Sequence, residues 1–246
     1  PAPEPSAAVL LRVPACDRAD GILLHKPGRD PDLAQQGVTI ARDGLTGNTV
    51  FDDGAVIRCR PDDDPKDTGA RGFARPEELG DLDPDNPLAW APDSYRHWCR
   101  HKGTADDVPP YWLAAIEQVL AKMGDTYSVH GEVRSPLDHL FAFCGMQTGL
   151  IGLLTEPDRA RAILDTVTGW STAWAVAQVR AGCHAIKLSS PYAGAGFISR
   201  DQYREWVVPY ERAVAEAVRD EGAFIYTHTC GAIGDRLDLM AETRVH

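Results

Sequence analysis

Residues 109–246 alternate between short strand-like runs and longer stretches in which apolar residues recur with helical spacing. The strand-like runs are TYSVHGEVR (126–134), HAIKLSSP (184–191) and AFIYTHTCG (223–231). Helical periodicity precedes the first run, over residues 109–124, and fills the intervals between the runs. Strands that alternate with helices through short connections predict parallel strands joined by crossovers. We therefore expect an α/β fold in this part of the chain.

Capping residues and prolines set the limits of the helices that follow the first strand. The predicted helices are 136–154, 157–181, 199–221 and 235–242. Ser199 and Gln202 form an S-x-x-Q capping box at the start of the third of these helices, and Pro209 should kink it. Gly182 stands where helices commonly end. Val245 is a candidate start for a fourth strand.

The first 110 residues have a different pattern, rich in Pro, Gly and Asp and without a long helical stretch before Pro92. Short strand signals at 37–41 and 55–59 flank the sequence RDGLTGNTVFDDG and predict a hairpin or meander. We therefore divide the chain into two regions. Residues 1–110 form an irregular N-terminal region, a cap or partial barrel with short strands, and residues 111–246 form β/α units.

Two architectures fit this alternation of strands and helices: a (β/α)8 barrel of TIM type and an open doubly wound sheet. No GxGxxG or Walker sequence follows a predicted strand, which disfavours the nucleotide-binding open sheet. Polar residues gather at the predicted carboxyl ends of the strands, where barrel enzymes carry their chemistry. We expect a TIM-type barrel that is incomplete in this chain, because only three or four β/α units are visible.

The amino-acid composition and net charge of the chain limit the kinds of molecule that it is expected to bind. The chain has 246 residues, of which 43% are hydrophobic and 25% charged, and its formal net charge is −11. This charge argues against nucleic acid or an anionic membrane surface as the main partner. No apolar run is long enough to span a membrane, and no secretory signal is recognisable. Six scattered cysteines without a CxxC pair are typical of reduced thiols, so we expect a cytoplasmic protein.

His228 and Cys230 are the sharpest chemical signal in the sequence. They are two residues apart in a predicted strand, so we expect both side chains on the same face. Imidazole nitrogen and thiolate sulfur are natural zinc ligands, and Gly231 permits close approach of the backbone. Zinc normally needs three or four protein ligands, and a buried cysteine beside a hydrogen-bonded histidine has the same spacing. Spacing alone therefore leaves a zinc half-site and a structural pair both open.

The sequence around this pair resembles the uroporphyrinogen decarboxylase superfamily. That superfamily includes zinc-dependent methyltransferases, which move a methyl group from a corrinoid protein to a thiol such as coenzyme M. The matching residues, 180–243, contain AGCHAI, SPYAGAGFIS, YREWVVPY and HTCG. Weaker similarity is present in VHGEVRSPLDHLFAFCG (129–145) and LLTEPDRARAILDTVT (153–168). The resemblance covers roughly half of the chain and implies a (β/α)8 barrel with its active site at the strand ends.

The resemblance implies one of two enzymatic activities. In the thiol methyltransferases the H-x-C pair binds zinc with a further cysteine near the end of the chain, so His228 and Cys230 would be metal ligands here. True decarboxylases lack H-x-C and hold the substrate carboxylates with an Arg-rich R-Q-A-G-R loop. That loop is not found, and KPGRDPD (26–32) does not match it. We favour zinc-dependent methyl transfer from a corrinoid or other donor to a thiol.

Two alternatives stay open. One is uroporphyrinogen decarboxylation in tetrapyrrole biosynthesis, and the other is a non-catalytic barrel that binds a tetrapyrrole or a partner chain. The expected partners are accordingly a small-molecule thiol or a tetrapyrrole, and a corrinoid protein that carries the methyl donor. The chain stops at ETRVH, where the family would begin another strand, so we expect a truncated chain or a reduced homologue. A homodimer could cover the exposed sheet edges of an incomplete barrel.

Four residues are predicted to contact substrate: Glu132, Arg134, Ser189 and Tyr192. Glu132 and Arg134 share a strand face, where they could orient a polar substrate or form a structural ion pair. Ser189 and Tyr192 border the substrate in this family, but they could instead belong to a loop that merely caps the next helix. The third metal ligand would lie beyond the last residue, or would be supplied within the chain. The candidates within the chain are Glu132, Cys144 and Asp235.

Overall fold

The computed structural model describes residues 21–24, 39–43, 46–50, 56–60, 63–67, 78–85 and 104–246. The chain divides into two compact units. The smaller unit is Arg29–Ala74, and the larger one joins Pro1–Gly28 to Arg75–His246.

Strands and helices are numbered in chain order. The strands are β1 Gly21–Leu24, β2 Thr39–Asp43, β3 Thr46–Val50, β4 Val56–Arg60, β5 Asp63–Asp67, β6 Ser128–Arg134, β7 Ala185–Ser189 and β8 Phe224–His228. The α-helices are α1 Pro110–Met123, α2 Pro136–Cys144, α3 Met146–Thr155, α4 Pro157–Arg180, α5 Arg200–Trp206, α6 Val208–Asp220 and α7 Leu237–Glu242.

The smaller unit contains a four-stranded antiparallel sheet with the order β2-β3-β4-β5. Consecutive strands pair with one another, so the meander predicted around RDGLTGNTVFDDG is confirmed. The strand limits differ from the predicted ones by one or two residues, and β3 lies inside the segment that was expected to connect two strands.

The larger unit is built on a four-stranded parallel sheet with the order β1-β6-β7-β8. The order of the strands in the sheet follows their order in the chain. A doubly wound sheet would instead reverse direction at its switch point and carry helices on both faces. The prediction of an α/β fold with parallel strands is confirmed.

Helices pack on one face of this sheet. Strand residues Val129, Val133, Ile186, Leu188 and Ile225 form one hydrophobic core with residues of α1, α4 and α6. The side chains that alternate with them are polar and only partly buried; they are His130, Glu132, Arg134, Lys187, Ser189 and Tyr226. A sheet covered by helices on one face is typical of a TIM-type barrel, which has eight strands. Four parallel strands are described here, and closure of the barrel stays a prediction.

The single helix predicted over residues 136–154 is wrong. α2 ends at Cys144 and α3 begins at Met146, and the two helices are bent by 111°. Gly145 joins them with φ of 85°, a backbone region that L side chains rarely adopt. Among the described residues no single helix is long and apolar enough to cross a membrane; the bent α2–α3 pair meets that test only when its two helices are combined.

Two further predictions concern the start of α5 and the kink at Pro209. The predicted capping box is confirmed. Ser199 and Gln202 form the capping box at the start of α5, with backbone-to-side-chain distances of 2.9 and 3.1 Å. The predicted kink is a break, since α5 ends at Trp206 and α6 begins at Val208, with Pro209 in its first turn.

Near the end of the described chain, Val245 is not part of a strand. The segment nevertheless lies beside β8, because the amide of His246 donates to the carbonyl of Ile225 at 2.8 Å.

Candidate functional site

The carboxyl ends of three parallel strands bring predicted site residues into one row. Arg134, Ser189 and His228 are register partners on β6, β7 and β8. Glu132 lies one step below this row, where its register partner is Lys187. Side chains two residues apart on a strand share a face. This row and the Glu132–Lys187 pair below it therefore form one polar surface at the carboxyl ends of the strands.

The His228–Cys230 pair has a geometry that differs from the prediction. β8 ends at His228, so Cys230 lies outside the strand, in the turn before Gly231, whose φ is 81°. The expectation that both residues belong to the strand is therefore wrong. Their side chains still meet, because the Cys230 Sγ is 3.4 Å from the His228 Nε2, and both residues are exposed.

This separation fits two ligands of one zinc ion. Bond lengths of about 2.0 Å to nitrogen and 2.3 Å to sulfur, with a tetrahedral angle, place the two ligand atoms about 3.5 Å apart. The donor chemistry fits as well, since zinc sites in proteins commonly combine imidazole with thiolate. The distance between the His228 Nε2 and the Cys230 Sγ is therefore compatible with two neighbouring ligands of one metal ion.

Further ligands are not found near this pair. Among residues 78–85, 104–246 and the described strands, no group of three or more His, Cys, Asp or Glu side chains could hold a metal. Cys144 lies in the core and its thiol is 3.0 Å from the Leu140 carbonyl. The carboxylate of Asp235 is 2.9 Å from the Arg236 guanidinium. Within the described part of the chain, His228 and Cys230 thus remain the two candidate ligands.

An ion pair lies one step below the row at the strand ends. The Lys187 Nζ is 3.0 Å from a Glu132 carboxylate oxygen, and the two side chains are only 17% and 13% exposed. Arg134 pairs with Asp138 at 2.7 Å, from β6 to the first turn of α2. Both cations on this surface therefore have an acidic partner within salt-bridge distance.

Below the ion pair, His130 connects two hydroxyl groups. Its Nδ1 is 3.0 Å from the Tyr226 hydroxyl, and its Nε2 is 2.8 Å from the Ser128 hydroxyl. Burial, with a smaller contribution from nearby His184, lowers the pKa of His130 and favours the neutral ring. Tyr226 was not among the predicted site residues, although its alternation with His228 along β8 was a signal that could have revealed it.

Tyr192 lies in the loop that follows β7, as predicted. Its ring packs edge-on against Phe141 and Phe197, at centroid distances of 5.8 and 5.4 Å. Ser189 is the last residue of β7, and its carbonyl accepts from the Ser135 amide at 2.8 Å. Tyr192 thus belongs to an aromatic cluster, and a role in substrate binding stays a prediction for both Tyr192 and Ser189.

The family model described as uroporphyrinogen decarboxylase (URO-D) matches residues 93–246. The chain belongs to this family. The matched residues include β6, β7 and β8 and the His228–Cys230 pair, so the family resemblance of the sequence is confirmed.

Curated URO-D relatives have two kinds of activity. The methylated-thiol--coenzyme M methyltransferase of Methanosarcina mazei is 26% identical over 136 residues, 55% of this chain and 36% of the relative. A methylcobamide:CoM methyltransferase of Methanosarcina acetivorans is 25% identical over 134 residues, 54% of this chain and 39% of the relative. A uroporphyrinogen decarboxylase of Pelodictyon phaeoclathratiforme is 32% identical over 82 residues, 32% of this chain and 23% of the relative. The chain spans less than half the length of these relatives.

The fold of this URO-D chain is shared by solved structures. One of these is a methyltransferase from Methanosarcina mazei, with a TM-score of 0.58 and 20% sequence identity, covering 92% of this chain and 56% of the other. At this level of identity the similarity establishes the fold, and the chemistry has to be argued from the site.

Proposed function

We propose that this chain belongs to an enzyme that transfers a methyl group to a thiol and holds that thiol on zinc. The observation that carries the proposal is the 3.4 Å separation of the His228 Nε2 and the Cys230 Sγ at an exposed strand end. The relatives add support, because two of them are named as methyltransferases that act with coenzyme M. We further propose that the parallel sheet is part of a (β/α)8 barrel.

His228 and Cys230 would hold the metal. When bound, zinc lowers the pKa of a coordinated thiol, so that the sulfur is a thiolate and a nucleophile at neutral pH. The protein supplies the orientation of these two ligands. A neutral imidazole and a deprotonated cysteine are required for binding, so metal affinity should decrease as the pH falls.

The residues beside the ligands would bind and orient the acceptor. Arg134 keeps 40% of its side chain exposed despite its contact with Asp138, so its guanidinium can reach an anionic group on the substrate. Ser189 would contribute a hydroxyl from the same row, and Glu132 a carboxylate from the step below. Tyr192 would provide an aromatic wall.

The methyl donor would be presented by a second protein. One relative is named for methylcobamide, a corrinoid, and we propose a corrinoid protein as the partner of this chain. The exposure of both His228 and Cys230 supports this, because a large cofactor on another protein can approach only an accessible site.

Metal content of the chain, purified without chelator, tests the proposal. We expect about one zinc per chain, as in other zinc sites, and its loss in Cys230→Ala and His228→Ala. Cys183→Ala is the matched control, because Cys183 is a buried cysteine and should leave zinc content unchanged. Substitution with Co²⁺ should give sulfur-to-metal charge-transfer absorption that disappears in Cys230→Ala and His228→Ala and persists in Cys183→Ala. Full-length protein that binds neither metal would refute the zinc assignment.

Uroporphyrinogen decarboxylation is the second candidate, favoured by the 32% identity to a decarboxylase over 82 residues. It is tested by incubating the chain with uroporphyrinogen under reducing, anaerobic conditions and separating the products by their number of carboxyl groups. Products with fewer carboxyl groups would support it, and unchanged substrate would favour methyl transfer.

A further inference from the structure

Two loops pack against each other beside the His228–Cys230 pair. The first, residues 190–199, connects β7 to α5, and the second, residues 229–236, connects β8 to α7 and carries Cys230. The Ala195 amide of the first loop donates to the Ala232 carbonyl of the second, and the Ser190 amide donates to the His228 carbonyl at the end of β8, both at 2.8 Å. The position of Cys230 therefore depends on the first loop.

Gly194 is the point of closest approach between the two loops. A Cβ atom added at Gly194 would lie 2.4 Å from the carbonyl oxygen of Cys230 itself. This is far below van der Waals contact, and the obstructing atom is backbone, which cannot rotate away. Gly196, two residues later in the same loop, has nothing within 4 Å of its hypothetical Cβ. Neither glycine has a positive φ, so the constraint at Gly194 is one of space.

Arg236 closes the second loop against the first. Its side chain is only 1% exposed. One terminal guanidinium nitrogen donates to the carbonyls of Ala193 and Ile198, both at 3.0 Å, and the group also contacts Asp235 and the ring of Tyr203. A planar guanidinium presents donors in several fixed directions, which the single ammonium of lysine does not.

We propose that Gly194 and Arg236 are positioning residues that hold the Cys230 sulfur next to the His228 imidazole. His228 is the last residue of β8, so sheet pairing with β7 holds its backbone. Cys230 lies outside the sheet, and its backbone is held by the contacts between the two loops. A shift of the first loop therefore moves the sulfur relative to the imidazole. The functional importance of this distance rests on the proposed zinc site.

Gly194→Ala and its matched control Gly196→Ala test the proposal in the full chain. We expect Gly194→Ala to weaken zinc binding by about 10- to 100-fold, the range observed when residues that orient metal ligands are changed. Gly196→Ala should bind zinc as the unchanged chain does. Zinc affinity is measured by competition with a chromophoric chelator, and circular dichroism and urea unfolding verify that each variant folds.

A second readout does not depend on zinc. In metal-free protein the rate of Cys230 alkylation by iodoacetamide is measured at one pH, by mass spectrometry of the peptide that contains Cys230. The rate depends on the position of the Cys230 Sγ, which lies 3.4 Å from the His228 Nε2. Gly194→Ala, which shifts the first loop against the Cys230 carbonyl, should therefore change the alkylation rate, whereas Gly196→Ala should react at the original rate.

Arg236→Lys is a second variant, which tests the same proposal if Gly194→Ala does not fold. It keeps the buried charge and removes the paired contacts with the two carbonyls, so we expect the same changes in zinc affinity and alkylation rate, in a folded protein. If folded Gly194→Ala and Arg236→Lys both alkylate and bind zinc like the unchanged chain, the loops do not position Cys230. If the unchanged full-length protein binds no zinc, the proposed function fails, and the alkylation rates alone decide the positioning role.

Discussion

Glu211 is a buried carboxyl in the first turn of α6. Its side chain is buried, and within the part of the chain that the structure describes neither carboxylate oxygen has a hydrogen-bond partner. Burial raises the pKa of Glu211 to about 7, although the nearby Ser190 hydroxyl offsets part of this rise. The folded protein therefore binds a proton at Glu211 at pH values where the unfolded chain has lost it.

This shift predicts how stability depends on pH. Because the pKa of Glu211 rises on folding from 4.5 to about 7, its contribution to the free energy of unfolding falls as pH rises between these values and is constant above them. Glutamine does not ionise, so Glu211→Gln should not lose stability as the pH rises through this range. At pH 8 it should be more stable than the unchanged chain, by up to about 3 kcal/mol. Urea unfolding at pH 5 and pH 8 measures the difference.

Glu216→Gln is the control for this experiment, since Glu216 is exposed on the same helix. It should change stability little, and equally at both pH values. If Glu211→Gln follows the same pH dependence as the unchanged chain, the carboxyl of Glu211 does not have the raised pKa.

At the scale of elements, β6 continues beyond its pairing with β1 and is completed by a side chain of α4. The last residue of β6 paired with β1 is Gly131. At the next residue, Glu132, the amide donates to the Gln178 side-chain oxygen and the carbonyl accepts from the Gln178 side-chain nitrogen, both at 3.2 Å. The buried amide of Gln178 thus acts as a short strand would, at the step that carries the Glu132–Lys187 ion pair.

Removing this amide should destabilise the protein. In Gln178→Leu the backbone amide and the backbone carbonyl of Glu132 each lose one hydrogen-bond partner. Each unsatisfied buried group costs about 1–3 kcal/mol. We expect the free energy of unfolding, measured with urea, to fall by about 2–5 kcal/mol. The matched control is Gln147→Leu, because Gln147 is exposed on α3 and should shift stability by no more than about 0.5 kcal/mol. Similar losses in the two variants would contradict this role for Gln178.

The whole molecule carries a formal net charge of −11. The two cations on the polar surface, Arg134 and Lys187, are paired with Asp138 and Glu132. The acidic partners reduce the positive charge that this surface can offer to a polyanion.

We therefore expect no salt-sensitive binding to double-stranded DNA or to vesicles of anionic lipid at low ionic strength. Fluorescence anisotropy with labelled DNA and co-sedimentation with vesicles measure this, with a basic protein as the positive control. Binding that weakens steeply with added salt would contradict this expectation.

Much of the secondary structure follows from local sequence. The strands β6, β7 and β8 and the capping box of α5 lie where apolar periodicity and capping residues predict them. Apolar periodicity and capping are relations between residues a few positions apart, so they can be recognised in a single sequence. The H-x-C pair and its flanking sequence also predicted the family, which the match over residues 93–246 confirms.

The bend between α2 and α3 was not predictable in the same way. Apolar residues run through both helices, and only the φ of 85° at Gly145 reveals the break. A glycine permits this conformation without requiring it, so the direction of the chain there depends on how both helices pack in the core.

The contacts between residues of the candidate site also depend on tertiary structure. The sequence by itself determined most of the strands and helices of residues 109–246, the parallel α/β character, and the presence of polar residues such as Arg134, Ser189 and His228 at the strand ends. Only the tertiary structure decided that Lys187 pairs with Glu132 and that Cys230 lies in a loop held by contacts at Gly194. These contacts join residues tens of positions apart, and they depend on strand register and loop packing, which no local periodicity specifies.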